Sequence, residues 1–150
     1  MKVVGFSFNK ISIERNKESS KDTGKDLKIN TNIEILDIEQ PTIELFKGSK
    51  VFDFKYKFKV IYEPGIAELL MEGSILSIID DEDLIKKIMK EWKNKVVLEE
   101  IRIPLLNKIY AKCNLKAFQI EEDLNLPLHM PMPRLVGMEP VDTLDKPNKK

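Results

Sequence analysis

The stretch Phe52–Tyr62, FDFKYKFKVIY, decides the fold. Phe52, Phe54, Tyr56, Phe58, Val60 and Tyr62 take every second position, and Asp53, Lys55, Lys57 and Lys59 stand between them. Successive side chains of an extended chain point to opposite faces, so this alternation predicts a β-strand with one packed face and one wet face. Pro64-Gly65 follows as a turn. The segment 66–79 then returns as the second strand of a hairpin, and its pattern differs. Leu69 and Met71 fall on one parity, Leu70 on the other, and Ile75, Leu76, Ile78 and Ile79 on both. A strand apolar on both sides is expected to be covered on both sides.

Outward from this hairpin, Val4, Phe6 and Phe8 alternate with Gly5 and Ser7, and Ile11 and Ile13 continue in shifted phase. This predicts a first strand over about 3–14 with a bulge near Asn9. RNKESSKDTGKD, 15–26, reads as a long exposed loop. Ile29, Thr31, Ile33 and Ile35 form a second strand, after which Leu36 and Ile38 change parity. The connection 36–50 is long, with breakers at Pro41 and Gly48, so the second and third strands need not be neighbours. Asp80 or Asp81 caps a helix over about 82–93, whose apolar stripe is Leu84, Ile85, Ile88, Met89 and Trp92. A longer helix carries Leu105, Leu106, Ile109, Cys113 and Ala117 along one side and ends before Pro127. Pro104 is either its first-turn residue or a kink. Four strands followed by helices give an α+β class with an antiparallel sheet. The segment LPLHMPMPRLVGMEP, 126–140, is too proline-rich for helix or inner strand, and VDTLDKPNKK is expected to be a disordered tail.

The 150 residues suit one domain able to bury most of its unfolded surface. Lys and Arg number 25 and Asp and Glu number 25, so no net basic charge points to nucleic acid. No run reaches the length of a membrane span, and the N-terminal apolar run is too short for a signal peptide, so a cytoplasmic location is expected. The single cysteine, Cys113, excludes an internal disulfide and a cysteine metal cluster. The single histidine, His129, lacks a nucleophile elbow, phosphate-cradling loop or ligand cluster around it, and reads as a surface or hydrogen-bonding residue. Asp80–Asp83 lacks the oxygen spacing of a calcium loop and suits a helix N-terminus. Glu99, Glu100, Glu121 and Glu122 read as solvated helix faces. No catalytic residue, metal or cofactor is therefore expected. What is left over is apolar surface, which predicts association with other chains.

The order of elements resembles the SecB family of export chaperones. GSILSI at Gly73–Ile78 is similar to the family's glycine-rich end of the fourth strand. Ile103-Pro104-Leu105 matches its proline in the opening of the long helix, LPLHMPMPRL occupies the place of its proline-containing segment, and 36–50 matches its crossover between strands two and three. Methionines and prolines stand where an asparagine–phenylalanine pair is expected, and no lid helix is legible after Gly137. The resemblance covers about Val3–Leu135. It implies a SecB-like domain over 1–135 with a tail over 136–150: a four-stranded antiparallel sheet with a crossover, then a short helix and a long helix packed on the sheet. It implies a homotetramer, a dimer of dimers, acting as an ATP-independent holdase for unfolded or pre-secretory proteins. Client contacts carried over are Ile38, Ile43, Leu45, Phe46, Leu128, Met130, Met132 and Leu135. The oligomer interface takes Leu70, Leu76, Leu105, Ile109 and Cys113, the last three facing sheet or partner subunit. Glu68 and Glu72 share a strand face that could meet the translocation motor, a contact left open. A dedicated adaptor or antitoxin-type chaperone for one partner is the alternative, and a small thioesterase-like enzyme the third.

Overall fold

The computed structural model describes residues 1–16, 27–41 and 50–131. Four strands, β1 (Lys2–Arg15), β2 (Lys28–Glu39), β3 (Val51–Glu63) and β4 (Ala67–Ile78), precede two helices, α1 (Glu82–Trp92) and α2 (Glu99–Asp123). The strands form one antiparallel sheet in the order β1-β4-β3-β2. The expected α+β class with a four-stranded antiparallel sheet and two helices is what the chain adopts.

The order relocates the crossover. β2, β3 and β4 are consecutive neighbours, so β2 pairs directly with β3, Lys28 opposite Glu63 and Glu39 opposite Asp53. The connection that crosses the sheet is instead the one from β1 to β2, which lie at opposite edges. Three sequential antiparallel strands with the fourth returned beside the far one is a Greek key.

β3 has the predicted two faces: its six alternating aromatic and aliphatic residues are all fully buried. The wet face is laced by exposed ion pairs, Lys57 to Glu34 at 3.5 Å and Lys59 to Glu68 at 3.4 Å. Each is worth about 0–1 kcal/mol. Within the chain, β4 is fully covered on one face only. Its inner residues Leu69, Met71 and Ile75 are fully buried, but its outer row alternates Leu70, Leu76 and Ile78 with Glu68, Glu72 and Ser74, all half-buried except the exposed Glu68.

Register shifts fall between Val3 and Gly5 and between Phe8 and Lys10 in β1, the latter at the expected bulge, and between Ile35 and Asp37 in β2. The shift in β2 makes Leu36 the extra residue and returns Ile38 to the inner face, opposite Phe54. Gly73 sits where β1 and β3 reach across β4. A Cβ there would lie 1.9 Å from the Ser7 carbonyl oxygen and 2.6 Å from the Tyr56 hydroxyl. With no side chain in the way, Tyr56 donates a hydrogen bond to Ser7 O at 3.0 Å, and its ring stacks on Phe6 at 5.2 Å.

Asp81 caps α1, accepting from the backbone N–H groups of Asp83 and Leu84 at 3.0 and 3.3 Å. Pro104 is inside α2, past its first turn, where it removes the N–H that would reach Glu100 O. The far end of α2 is held from β1: the Arg15 guanidinium donates to the carbonyls of Leu124 and Asn125. A cation at a helix C-terminus also opposes the negative end of the helix dipole. Among the described residues, no helix is long and apolar enough to cross a membrane.

Candidate apolar binding groove

α2 lies along the inner face of the sheet and buries Ile101, Leu105, Ile109, Cys113, Ala117 and Glu121. Side chains four apart stack on one side of a helix, so this stripe is a spine. Of the two surfaces open to Leu105, Ile109 and Cys113, they take the sheet: all three are fully buried within the chain, which corrects their assignment to an oligomer interface. Leu70 and Leu76 lie instead on the outer sheet face, half-buried. Burial pushes the Cys113 thiol from 9.0 up to about 12, and pushes the neighbouring Tyr56 hydroxyl up as well. A buried neutral thiol is a packing group rather than a nucleophile.

One helix cannot cover four strands, and the edge strands stay half-open. On the β1 side, Val3, Phe6, Phe8 and Ile13 are partly buried. Lys108 and Lys112 join Val3, Val4, Gly5 and Phe6 around a cleft of about 290 Å³, and the Lys116 ammonium lies 6.0 Å over the Phe8 ring. On the β2 side, Ile29, Ile33 and Ile35 are partly buried. There α2 presents Leu106, Tyr110, Asn114 and Phe118, again four apart. Tyr110 meets Phe58 edge-on at 6.5 Å. His129 meets Phe58 at 6.1 Å and Phe118 at 5.1 Å, bringing the segment after α2 onto this flank. The candidate groove is the strip between the partly buried β2 row and this side of α2, where the β3 residues beneath are already fully covered.

Beneath the groove end is a buried polar cluster. Glu121 and the His129 side chain are 0% and 1% exposed. Tyr62 donates its hydroxyl proton to Glu121 Oε2, the His129 backbone N–H donates to Glu121 Oε1 at 3.2 Å, and His129 Nδ1 stands 3.0 Å from Oε2. His129 Nε2 stands 2.7 Å from Asn114 Oδ1. Burial, and next the hydrogen bond to Glu121, push the Tyr62 hydroxyl well above its ordinary value. Three donors make a buried carboxylate tolerable where an unpaired one would cost several kcal/mol.

The expected contact residues divide. Ile38 is 5% exposed and part of the core, because the β2 bulge turns it inward; this corrects its placement as a client contact in a crossover loop. Leu128 is half-buried and Met130 is 39% exposed, both beside His129. Ile43, Leu45, Phe46, Met132, Leu135 and the expected 136–150 tail lie outside the described residues. Glu121, read as a solvated acid, is buried, whereas Glu122 is exposed. Glu82, from the acidic run, pairs with Lys50 at 2.5 Å, and the ammonium lowers its carboxyl below the ordinary value. Among the described residues no group of three His, Cys, Asp or Glu could hold a metal ion. His129 and Cys113 engage different partners, so they form no catalytic pair.

No protein-family model matches this sequence, and no curated protein matches it. In fold, the chain is similar to the Mycobacterium tuberculosis Rv1957 SecB-like chaperone, solved in complex with a ChAD peptide from the Rv1956 HigA1 antitoxin. The TM-score is 0.51 at 8% identity, over 91% of each chain. The fold is therefore SecB-like.

Proposed function

We propose that this protein is an ATP-independent holdase that binds unfolded or extended polypeptide in the groove between α2 and the β2 edge. The observation that carries this reading is the partly buried row Ile29, Ile33 and Ile35 on the β2 edge, next to β3, whose Phe58 meets Tyr110 of α2. A folded chain gains by hiding such a surface, and an extended apolar segment hides it without needing a fixed sequence. The open backbone of the β2 edge adds main-chain hydrogen bonds to the same client. Leu128 and Met130 stand at its mouth, and the flexible Met thioether suits varied partners. Ile43, Leu45, Phe46, Met132 and Leu135 remain proposed contributors. The similar fold of a chaperone bound to an antitoxin peptide supports peptide binding and favours no enzymatic role.

That neighbour also supports the second reading, a dedicated adaptor or antitoxin-type chaperone for one partner. Denatured substrate that aggregates on dilution tests the pair. The holdase reading expects light scattering to be suppressed at stoichiometric protein. No suppression in excess rejects it, and one dominant partner in a pull-down without general suppression favours the adaptor.

The proposed assembly is a cytoplasmic homotetramer. Ile103 and Leu115, 44% and 65% exposed on α2, replace the buried α2 residues as its contacts, with Leu70 and Leu76 on the outer sheet face. Multi-angle light scattering of the wild type and of Leu115→Glu reads this directly. A monomeric wild type rejects it.

A further inference from the structure

Side chains of α2 reach β1 at two levels, and a third contact ties the strand's end to the helix. Lys108 and Lys112 border the cleft of about 290 Å³ with Val3, Val4, Gly5 and Phe6. The Lys116 ammonium lies 6.0 Å over the Phe8 ring, and Arg15 holds the carbonyls of Leu124 and Asn125. The apolar cover stops short of this edge. Ile11 pairs with Met71 on the inner face, yet Ile11 is 41% exposed while Met71 is fully buried. Among the described residues no strand pairs with the outer edge of β1. Register shifts at Val3–Gly5 and Phe8–Lys10 break that edge into short runs, which blunts indiscriminate strand pairing.

Charge on α2 is sorted between its two sides. From Ile103 to Ile120 its charged residues are Lys108, Lys112 and Lys116, and four-residue spacing puts them in one row. No acid stands three or four residues from any of them. Among the described residues none of the three is in an ion pair. The one acid of β1, Glu14, stands opposite Glu68 on the outer sheet face. The side of α2 toward β2, with Leu106, Tyr110, Asn114 and Phe118, is uncharged.

We propose that the strip between β1 and this lysine row is a second binding site, for an extended acidic segment of a partner polypeptide with glutamate at every second position. Charge complementarity carries the choice of occupant, and the spacing fits it. Lys108 to Lys116 rises about 12 Å along the helix, and three alternate residues of a strand span about 13 Å. Glutamate stems lie on Val3, Phe6 and Phe8, and their carboxylates meet the ammonium groups. A short run of main-chain hydrogen bonds to the β1 edge adds to this. Because the bulges keep that run short, the charges dominate recognition and salt weakens it. A second copy of this chain fits less well, because the inner row of its own β1, Val3, Phe6, Phe8, Ile11 and Ile13, holds no carboxylate. The site stands apart from the groove between α2 and the β2 edge, whose uncharged wall suits a neutral segment.

Anisotropy of three fluorescein-labelled peptides tests it. One alternates glutamate with threonine, one glutamine with threonine, and one leucine with serine to report the groove. The wild type is expected to bind the glutamate peptide about tenfold more tightly than the glutamine peptide, equivalent to about 1.4 kcal/mol. That margin should vanish as salt rises to about 1 M. Lys108→Gln together with Lys112→Gln should abolish it, with unchanged circular dichroism and unchanged binding of the leucine–serine peptide. Lys108→Glu together with Lys112→Glu should instead favour a lysine–threonine peptide, a reversal that general damage to the fold does not produce. Equal binding of the glutamate and glutamine peptides by the wild type overturns the proposal, as does a margin that survives the double glutamine substitution. A wild type that does not bind the glutamate peptide, and whose mass by multi-angle light scattering falls on Ile11→Glu, assigns the edge to a second copy and overturns it too. A glutamate margin without leucine–serine binding supports this strip and rejects the groove.

Discussion

α2 splits the inner face of the sheet into two flanks closed by different means. On the β1 flank, Lys108 and Lys112 border a cleft with Val3 and Phe6, and Lys116 lies over Phe8. Long alkyl stems cover apolar surface while keeping their charges in water, and they need no single geometry to do so. On the β2 flank, Tyr110 and His129 meet Phe58, Phe118 meets His129, and the buried Tyr62–Glu121–His129–Asn114 cluster fixes the histidine. The first flank keeps a cleft of about 290 Å³ with lysine stems at its rim. The second is shaped, with ring edges and a set opening. Flexible lysine stems leave a soft rim, whereas packed rings held by a buried cluster make a fixed wall.

The largest test removes what the flanks share. Gly73→Ala sets a Cβ against the Ser7 carbonyl and the Tyr56 hydroxyl. It should cost more than about 4 kcal/mol, lifting β1 from β4 and destroying the lysine-covered flank; urea denaturation measures it. Alkali attacks the spine between the flanks. The folded pKa of Cys113 is raised from 9.0 to about 12, so its contribution is intact below pH 9 and is lost as pH rises toward 12. Stability should fall there by at most about 1.4 kcal/mol per unit, Tyr56 and Tyr62 adding to the loss, and thermal melts across that range should show it. Tyr62→Phe reaches the shaped flank alone. It deprives a buried carboxylate of one donor and should cost about 2 kcal/mol, read as a lower urea midpoint. The smallest pair sharpens the contrast. Tyr110→Ala should weaken binding of the leucine–serine peptide about tenfold with little loss of stability, whereas Lys116→Ala should lose about 0.5 kcal/mol and leave that binding unchanged. Equal effects of the two on binding would erase the distinction between flanks.

Legibility followed the same division. β3 shows in the sequence because one face is packed and the other wet, and the β1 bulge because a phase shift in Phe8–Ile11 announces it. The last turns of β2 were hidden by the same device: the bulge at Leu36 changes the parity of Ile38, which then resembles a strand that has stopped. Which strand lies beside which is not written in alternation at all, so the crossover was expected in 36–50 and lies between β1 and β2. Glu121 reads as solvated beside Glu122 and Asp123. Yet it continues the four-residue spacing Leu105, Ile109, Cys113, Ala117, a signal that it points into the core. Its partner His129 carries no such mark, because their meeting depends on how residues 124–129 turn back over α2.

The Greek key also sets an order of events. β1 is made first, but its partners run from Ala67, opposite Arg15, to Ile78, opposite Lys2. Until those residues leave the ribosome, β1 has nothing in its own chain to pair with. Pairing then closes a long loop, the slow class of folding contact. Throughout that wait the nascent chain exposes an extended segment with Phe6, Phe8, Ile11 and Ile13 along it. A newborn copy of this protein thus displays the kind of segment that a finished copy is proposed to hold.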